Sequence, residues 1–210
     1  VYVAMALNPA SLKPEENGNI QMMLVGTSCT ISVTSPTTSY VIDWGDGTTE
    51  NASGTGSKSY SHTYGDSLFH QMEVRNCRNI TSCMGSISSL AAYWSIGDSS
   101  VSDITFKGCG KLIYFGKDVF KNDTNRSDVS SLLESCSSLT SVDLTPLASW
   151  VNVTSCDYLL SNCSKLTSVD LTPLASWVNV TNCHDFLYNC TGLTSVDLTP
   201  LASWVNVTSC

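Results

Sequence analysis

LTSVDLTPLASWVNVTSCDYLLSNCSK (residues 139–165) is followed by LTSVDLTPLASWVNVTNCHDFLYNCTG (166–192) and then by LTSVDLTPLASWVNVTSC (193–210). Leu139, Leu166 and Leu193 open the three copies, 27 residues apart. A near-identical repeat of this period predicts a solenoid, because one such unit cannot bury its apolar face alone and must stack on its neighbour. The surface that carries function is then expected to be a repeated one.

The register extends backwards beyond the obvious copies. Cys109, Cys136, Cys163 and Cys190 form one column of period 27, and Cys156, Cys183 and Cys210 form a second. Leu112 stands 27 residues before Leu139 and opens a divergent coil, 112–138, with Val119, Leu132 and Leu133 at apolar positions. Residues 77–111 read as a capping and junction coil, with Val101–Phe106 as its apolar part, because the end of a stack must be covered. At the other end, the last copy stops before the apolar half matched by Leu159-Leu160 and Phe186-Leu187, which suggests that the native chain continues beyond Cys210.

Within each copy, Leu139-x-x-Val142-x-Leu144 predicts a strand with those three side chains pointing inward and Thr140, Ser141 and Asp143 facing solvent. Val153, Cys156, Leu159, Leu160 and Cys163 follow at helical spacing, with Thr154 or Ser155 as a cap. Pro146 excludes a continuous strand through the corner between the halves.

The first part of the chain reads differently. Residues 1–19 contain Pro9, Pro14 and the polar run Glu15–Asn19 and read as an N-terminal segment. Val1–Leu7 reads as a strand rather than a signal peptide, because it is short and has no basic start. Ile20–Val25, Cys29–Thr34, Tyr40–Trp44 and Phe69–Val74 are strand candidates, with Gly45-Asp46-Gly47 as a turn and Asn51–Ser59 as a Gly/Ser-rich loop. Short strands with such turns predict a small β-sandwich over 20–76.

Composition narrows the function classes. A hydrophobic share of 42% excludes a disordered chain, and the formal charge of −8 argues against nucleic acid or an anionic membrane as partner. No apolar run is long enough to span a bilayer. Ten cysteines would suggest a disulfide framework, but seven of them fall into the two columns. There a cysteine serves as a small buried hydrophobe, and free thiols are the expectation because pairing would make equivalent coils inequivalent. Cys29, Cys77 and Cys83 stay open.

Two resemblances sharpen this reading. Trp44-Gly45-Asp46-Gly47-Thr48, followed by Ser61-His62-Thr63-Tyr64, resembles the PKD domain, an immunoglobulin-like module of extracellular proteins. The resemblance implies structural roles for those residues: the turn fixes a hairpin and Tyr64 packs in the core. The repeats, with Asn152-Val153-Thr154-Ser155 leading to Leu160-Ser161-Asn162-Cys163 and Leu166-Thr167-Ser168-Val169-Asp170-Leu171, resemble the BspA-like leucine-rich repeats over 112–210. Those belong to surface proteins of gut and oral bacteria and of some protozoa, and they imply adhesion or ligand binding rather than catalysis. The combination also suits a phage virion decoration.

Candidate chemistry follows the columns. Thr140, Ser141, Asp143, Thr167, Ser168, Asp170, Thr194, Ser195 and Asp197 form the candidate ligand-binding face. Its aspartates read either as a solvated ladder or as a cation stripe, the ladder being favoured. Trp150, Trp177 and Trp204 form an aromatic column that either packs at the coil's corner, the favoured reading, or offers a platform to sugar rings. Asn-x-Ser/Thr recurs at Asn51, Asn79, Asn122, Asn125, Asn152, Asn162, Asn179, Asn189 and Asn206, much of it by repetition. Asp43, Asp46 and Asp66 can be argued into a calcium site, although turn chemistry explains the first two. His62, His70 and His184 share no ligand-like spacing, and no catalytic motif is present.

The expectation is therefore a mainly β chain: a small immunoglobulin-like β-sandwich followed by a leucine-rich-repeat solenoid of 27-residue coils. It is expected to act outside the cell, at a cell or virion surface. Its expected role is non-catalytic adhesion or recognition of a glycan or protein, without cofactor or metal. The alternative is a structural fibre or decoration subunit, which would form a homo-oligomer.

Overall fold

A computed structural model describes residues 18–36, 39–85 and 88–210. The strand expected at Val1–Leu7 lies outside the described residues, as does most of the N-terminal segment. Among the described residues there are nine strands in two open sheets and no α-helix. The strands are β1 (Ile20–Val25), β2 (Ser28–Ser35), β3 (Ser39–Asp43), β4 (Thr49–Ser53), β5 (Gly56–Thr63), β6 (Phe69–Arg75), β7 (Ser82–Gly85), β8 (Leu90–Ser95) and β9 (Tyr114–Phe115). One sheet runs β4-β3-β6-β1-β8-β9 and the other β5-β2-β7, the arrangement of a β-sandwich.

Strand burial follows position in the sheet. β1 lies antiparallel between β6 and β8, and both of its faces are covered. Ile20, Met22 and Leu24 enter the main core, while Met23 joins Ala91, Ala92 and Trp94 in a smaller cluster on the outer face. That explains a continuous apolar run without alternation. β2 alternates instead, burying Cys29, Ile31 and Val33 and leaving Ser28 and Ser32 exposed and Thr30 and Thr34 half-buried.

Two stretches differ from the sequence reading. Asn51–Ser59 is not a loop: it supplies the end of β4 and the start of β5. Gly54 and Gly56, at φ +104° and +88°, turn the chain from one sheet into the other. The polar run survives as a strand because β5 pairs its hydroxyls with those of β2, Thr30 with Ser61, Ser32 with Ser59 and Thr34 with Ser57, at 2.9, 3.2 and 2.8 Å. Residues 77–111, read as junction and cap, contribute β7 to one sheet and β8 to the other. Leu90–Ser95 shows no period of two because both of its faces are buried, so its pattern does not announce a strand.

The repeats are bonded in register. Parallel bridges join Asp128 to Ser155, Ser155 to Asn182 and Asn182 to Ser209. Neither a strand nor a helix forms where the pattern suggested them. Leu139–Leu144 is extended, with a single inter-repeat backbone bond nearby, Thr167 N–H to Thr140 C=O at 2.9 Å. It ends in the Pro-containing 3-10 turn Thr145–Leu147, a feature the next two copies repeat at Thr172–Ser176 and Thr199–Ser203. The other half is a chain of turns. Leu159, Ser161 and Cys163 donate locally, to the carbonyls three residues back, whereas Tyr158, Leu160 and Asn162 donate to His184, Phe186 and Tyr188 of the following copy. Tyr158 and Asn162 take left-handed φ values of 58° and 61°, which no helix tolerates. Alternate N–H groups thus point along the stack, and the spacing that mimics a helix comes from successive turns. Thr154 and Ser155, expected to cap a helix, both donate N–H to Ser127 C=O.

Side-chain direction nevertheless follows the apolar pattern. Leu139, Leu144, Val153, Cys156, Leu159, Leu160 and Cys163 are buried and Val142 is half-buried. One contiguous core runs from Ile20 in β1 to Trp204 in the last copy, so sandwich and repeats share an interior.

Candidate functional site

The nine residues of the Thr/Ser/Asp columns are all exposed: Thr140, Ser141 and Asp143, then Thr167, Ser168 and Asp170, then Thr194, Ser195 and Asp197. Between them Leu139, Leu144, Leu166 and Leu171 turn inward. The aspartates have a local task. Oδ1 of Asp143, Asp170 and Asp197 accepts the backbone N–H of Thr145, Thr172 and Thr199 at 2.9, 2.9 and 2.8 Å, opening each 3-10 turn. The Thr172 and Thr199 hydroxyls, with these N–H groups, hold Asp170 and Asp197 below the usual carboxylate range. The Thr167 hydroxyl is directed along the stack, onto Thr140 C=O at 3.0 Å. What remains for a ligand is a periodic polar face of exposed serine side chains and outer carboxylate oxygens.

The tryptophans are elsewhere. Trp150, Trp177 and Trp204 are 1, 0 and 8% exposed, so their rings offer no platform to a sugar. Each indole N–H reaches into the preceding repeat: Trp150 to Asp123 C=O at 2.5 Å, Trp177 to Leu147 C=O at 3.1 Å and Trp204 to Leu174 C=O at 3.0 Å. Trp177 and Trp204 stack with centroids 6.1 Å apart. An apolar ridge passes unnoticed in the sequence because valine is expected inside: Val151, Val178 and Val205 are 51, 47 and 80% exposed. Beside it the amides of Asn152, Asn179 and Asn206 bond to Asn125, Val151 C=O and Val178 C=O. The Asn189 amide likewise bonds to Asn162. These amide nitrogens, which glycosylation would need, are engaged within the stack.

The Trp44–Thr48 turn gathers residues that sequence spacing left apart. Gly45, at φ +82°, has no room for a side chain, since a Cβ would stand 1.9 Å from Gln71 C=O. Asp46 accepts from Thr48 N–H at 3.0 Å, from the Thr48 hydroxyl at 2.6 Å, and contacts His62 at 2.7 Å. The Thr48 hydroxyl first, then His62, hold its carboxyl far below the ordinary range. Asp66 contacts His70 at 2.9 Å, and Asp43 accepts from Gly45 N–H and Arg75. His62 lies against Trp44 and His70 against Tyr64, whose hydroxyl donates to Trp44 C=O at 2.8 Å. The three aspartates are thus separately occupied, and among the described residues no group of three or more His, Cys, Asp or Glu could hold a metal ion. Two His–Asp pairs flank a tyrosine at this corner, and the Thr48 hydroxyl beside them is spent donating to Asp46.

All ten cysteines carry free thiols. Cys136, Cys163 and Cys190 donate to Phe106, Leu133 and Leu160 C=O at 3.1, 3.3 and 3.1 Å. Burial pushes Cys109 up to about 11 and Cys163 up to about 12, so neither supplies a thiolate near neutral pH. A groove of about 650 Å³ opens at the last repeat, lined by Phe186, Leu187, Leu198, Leu201 and Trp204 among others. Leu198 is 54% exposed there, whereas its counterparts Leu144 and Leu171 are buried. Among the described residues no helix is long and apolar enough to cross a membrane.

Comparison with family models, with known proteins and with solved structures finds no match.

Proposed function

We propose that this chain is a non-catalytic recognition protein of a cell or virion surface. In this reading a PKD-like sandwich supports a BspA-like leucine-rich-repeat solenoid, whose repeated polar face binds a glycan or a protein. The observation that carries it is the face itself: nine Thr, Ser and Asp side chains, three per copy, all exposed, while Leu139, Leu144, Leu166 and Leu171 between them are buried in the first two copies. Repeats about 4.8 Å apart offer the same donors and acceptors at each step, which suits an extended ligand held by many weak contacts. His62 and His70 are each engaged with an aspartate and nine of the ten thiols are buried, which argues for binding over catalysis.

Glycan-array and cell-binding assays test this, with Ser168→Arg placed in the middle of the face and Val178→Ser on the ridge as a control. Binding lost with the first variant and kept with the second supports the reading. No signal on arrays or cells, or equal loss with both variants, refutes it. A second reading, a structural fibre or decoration subunit, draws on the apolar groove at the last repeat. It requires an oligomer without ligand, so the mass in solution separates the two.

A further inference from the structure

We infer that Cys183 and Cys210 are a site of disulfide formation, a covalent link between the last two repeats made by thiol–disulfide exchange. Three observations converge on this pair. The parallel bridges Ser155–Asn182–Ser209 set the residue that follows each, Cys156, Cys183 and Cys210, into one column. Backbone bonds from Cys156 N–H to Asn182 C=O and from Cys183 N–H to Ser209 C=O, at 3.0 and 2.9 Å, hold that register. A strand spacing of about 4.8 Å falls within the Cα separation of about 4.4–6.8 Å that disulfides span.

Side-chain direction then selects one pair from the column. The Cys183 and Cys210 sulfurs point at each other, 2.9 Å apart, whereas Cys156 turns its thiol to Asn182 C=O at 3.5 Å. Access completes the selection. Cys210 is exposed and the other nine cysteines are buried. In residues 1–210 the Cys210 thiol is reachable by reagent, and its sulfur is in contact with that of Cys183.

The oxidant required is a low-molecular-weight disulfide such as oxidised glutathione. The Cys210 thiolate, its proton given to solvent, attacks one sulfur of the reagent. The reagent's S–S bond breaks and one thiolate leaves to take up a proton. Cys183 then loses its proton to solvent and attacks the Cys210 sulfur of the mixed disulfide, expelling the second reagent thiol. In sum two protein thiols are oxidised to one disulfide and one reagent disulfide is reduced to two thiols. Burial and its neighbour push the Cys183 thiol up to about 12, so the second step is the slow one and accelerates as pH rises. The extracellular setting proposed above would favour the oxidised form, but the chemistry does not depend on it. The link closes a 27-residue loop and ties the last repeat to the one before.

The test uses the folded chain of residues 1–210 incubated with oxidised glutathione, then quenched with acid, alkylated under denaturing conditions and peptide-mapped. The expected product has two fewer alkylatable thiols than the reduced chain and a Cys183–Cys210 linked peptide. Formation is faster at pH 9 than at pH 7 and reversible by reductant. Cys156→Ser leaves the link intact, Cys183→Ser stops at glutathionylated Cys210, and Cys210→Ser, at an exposed position, abolishes both products. Ten thiols still titratable, a link between Cys156 and Cys183, or stable glutathionylation of Cys210 in the unaltered chain would each overturn the inference.

Discussion

Replacing Trp177 with alanine removes a side chain that has no exposed surface and faces neighbours on both sides. Its indole N–H reaches back to Leu147 C=O at 3.1 Å, and its ring stacks forward on Trp204. Truncating a buried tryptophan to alanine costs about 3–5 kcal/mol, from lost transfer energy and the cavity left behind. Leu147 C=O still accepts Trp150 N–H at 3.1 Å, so it is not orphaned, and the lost indole bond adds only about 1 kcal/mol. A loss near 5 kcal/mol is comparable with the whole stability of many domains, about 5–15 kcal/mol. The assay is urea unfolding followed by far-ultraviolet circular dichroism on the parent, Trp177→Ala, Trp177→Phe and Trp204→Ala. The expected order of destabilisation is Trp177→Ala first and Trp177→Phe clearly smaller. Trp204→Ala should also cost less, because Trp204 stands at the end of the column and is partly open. A Trp177→Ala loss below about 1 kcal/mol would refute the buried-column reasoning, since that is the size of a surface effect.

Two further predictions concern the sandwich. Gly45→Ala places a Cβ on Gln71 C=O at a positive φ, so it should lower stability by more than about 1 kcal/mol, measured as a shift in urea midpoint. Asp46 has a folded-state pKa depressed by Thr48 and His62, so its contribution is present above the unfolded value of about 3.9 and is lost as pH falls through the folded one. Asp46→Asn should therefore be less stable than the parent at pH 7, with the gap closing towards pH 2. A gap that stays constant across that range would show that the carboxylate charge contributes nothing.

Much of this fold is legible where side chains alternate or repeat. β2 declares itself because one face is buried and the other is wet, and the period of 27 aligns every buried leucine and cysteine of the repeats. Legibility fails where the backbone, rather than the side chain, decides. Ser57–Ser59 is strand because β2 supplies hydroxyl partners from the distant side of the sandwich. The apolar half of each repeat has helical spacing but no helix, since half of its N–H groups bond to the next copy. The outward direction of the Thr, Ser and Asp columns is readable, as in the first two copies these residues sit between inward leucines. The pairing of His62 with Asp46 and of His70 with Asp66 around Tyr64 was not, because it depends on how two hairpins meet.

The shared core raises the question of whether sandwich and repeats unfold together, and the junction at β9 answers it. β9 pairs parallel with β8, Ala92 opposite Tyr114 and Tyr93 opposite Phe115. Ile113 N–H and Gly116 N–H extend the ladder to Ala91 and Tyr93 C=O at 2.8 and 2.9 Å. Beneath it aromatic rings run from Tyr93 to Phe106, from Phe106 to Phe115 and Phe120, and from Phe120 to Trp150, each pair 5.2–6.2 Å between centroids. A sheet edge and a buried aromatic chain thus couple β8 to the first full repeat, and the parent is expected to unfold in one transition. Gly116 is the point at which to test this. A Cβ there would stand 2.0 Å from Trp94 C=O, so Gly116→Ala must push β9 off β8. Losing two backbone bonds at about 1 kcal/mol each, together with the disturbed aromatic packing, should cost about 2 kcal/mol or more. Fluorescence of Trp150, Trp177 and Trp204, read in a background where the sandwich tryptophans Trp44 and Trp94 are replaced by phenylalanine, and near-ultraviolet signals from the sandwich tyrosines should coincide in the parent and separate in the variant. Separate transitions in the parent would mean that the continuous core does not make the two parts one cooperative unit.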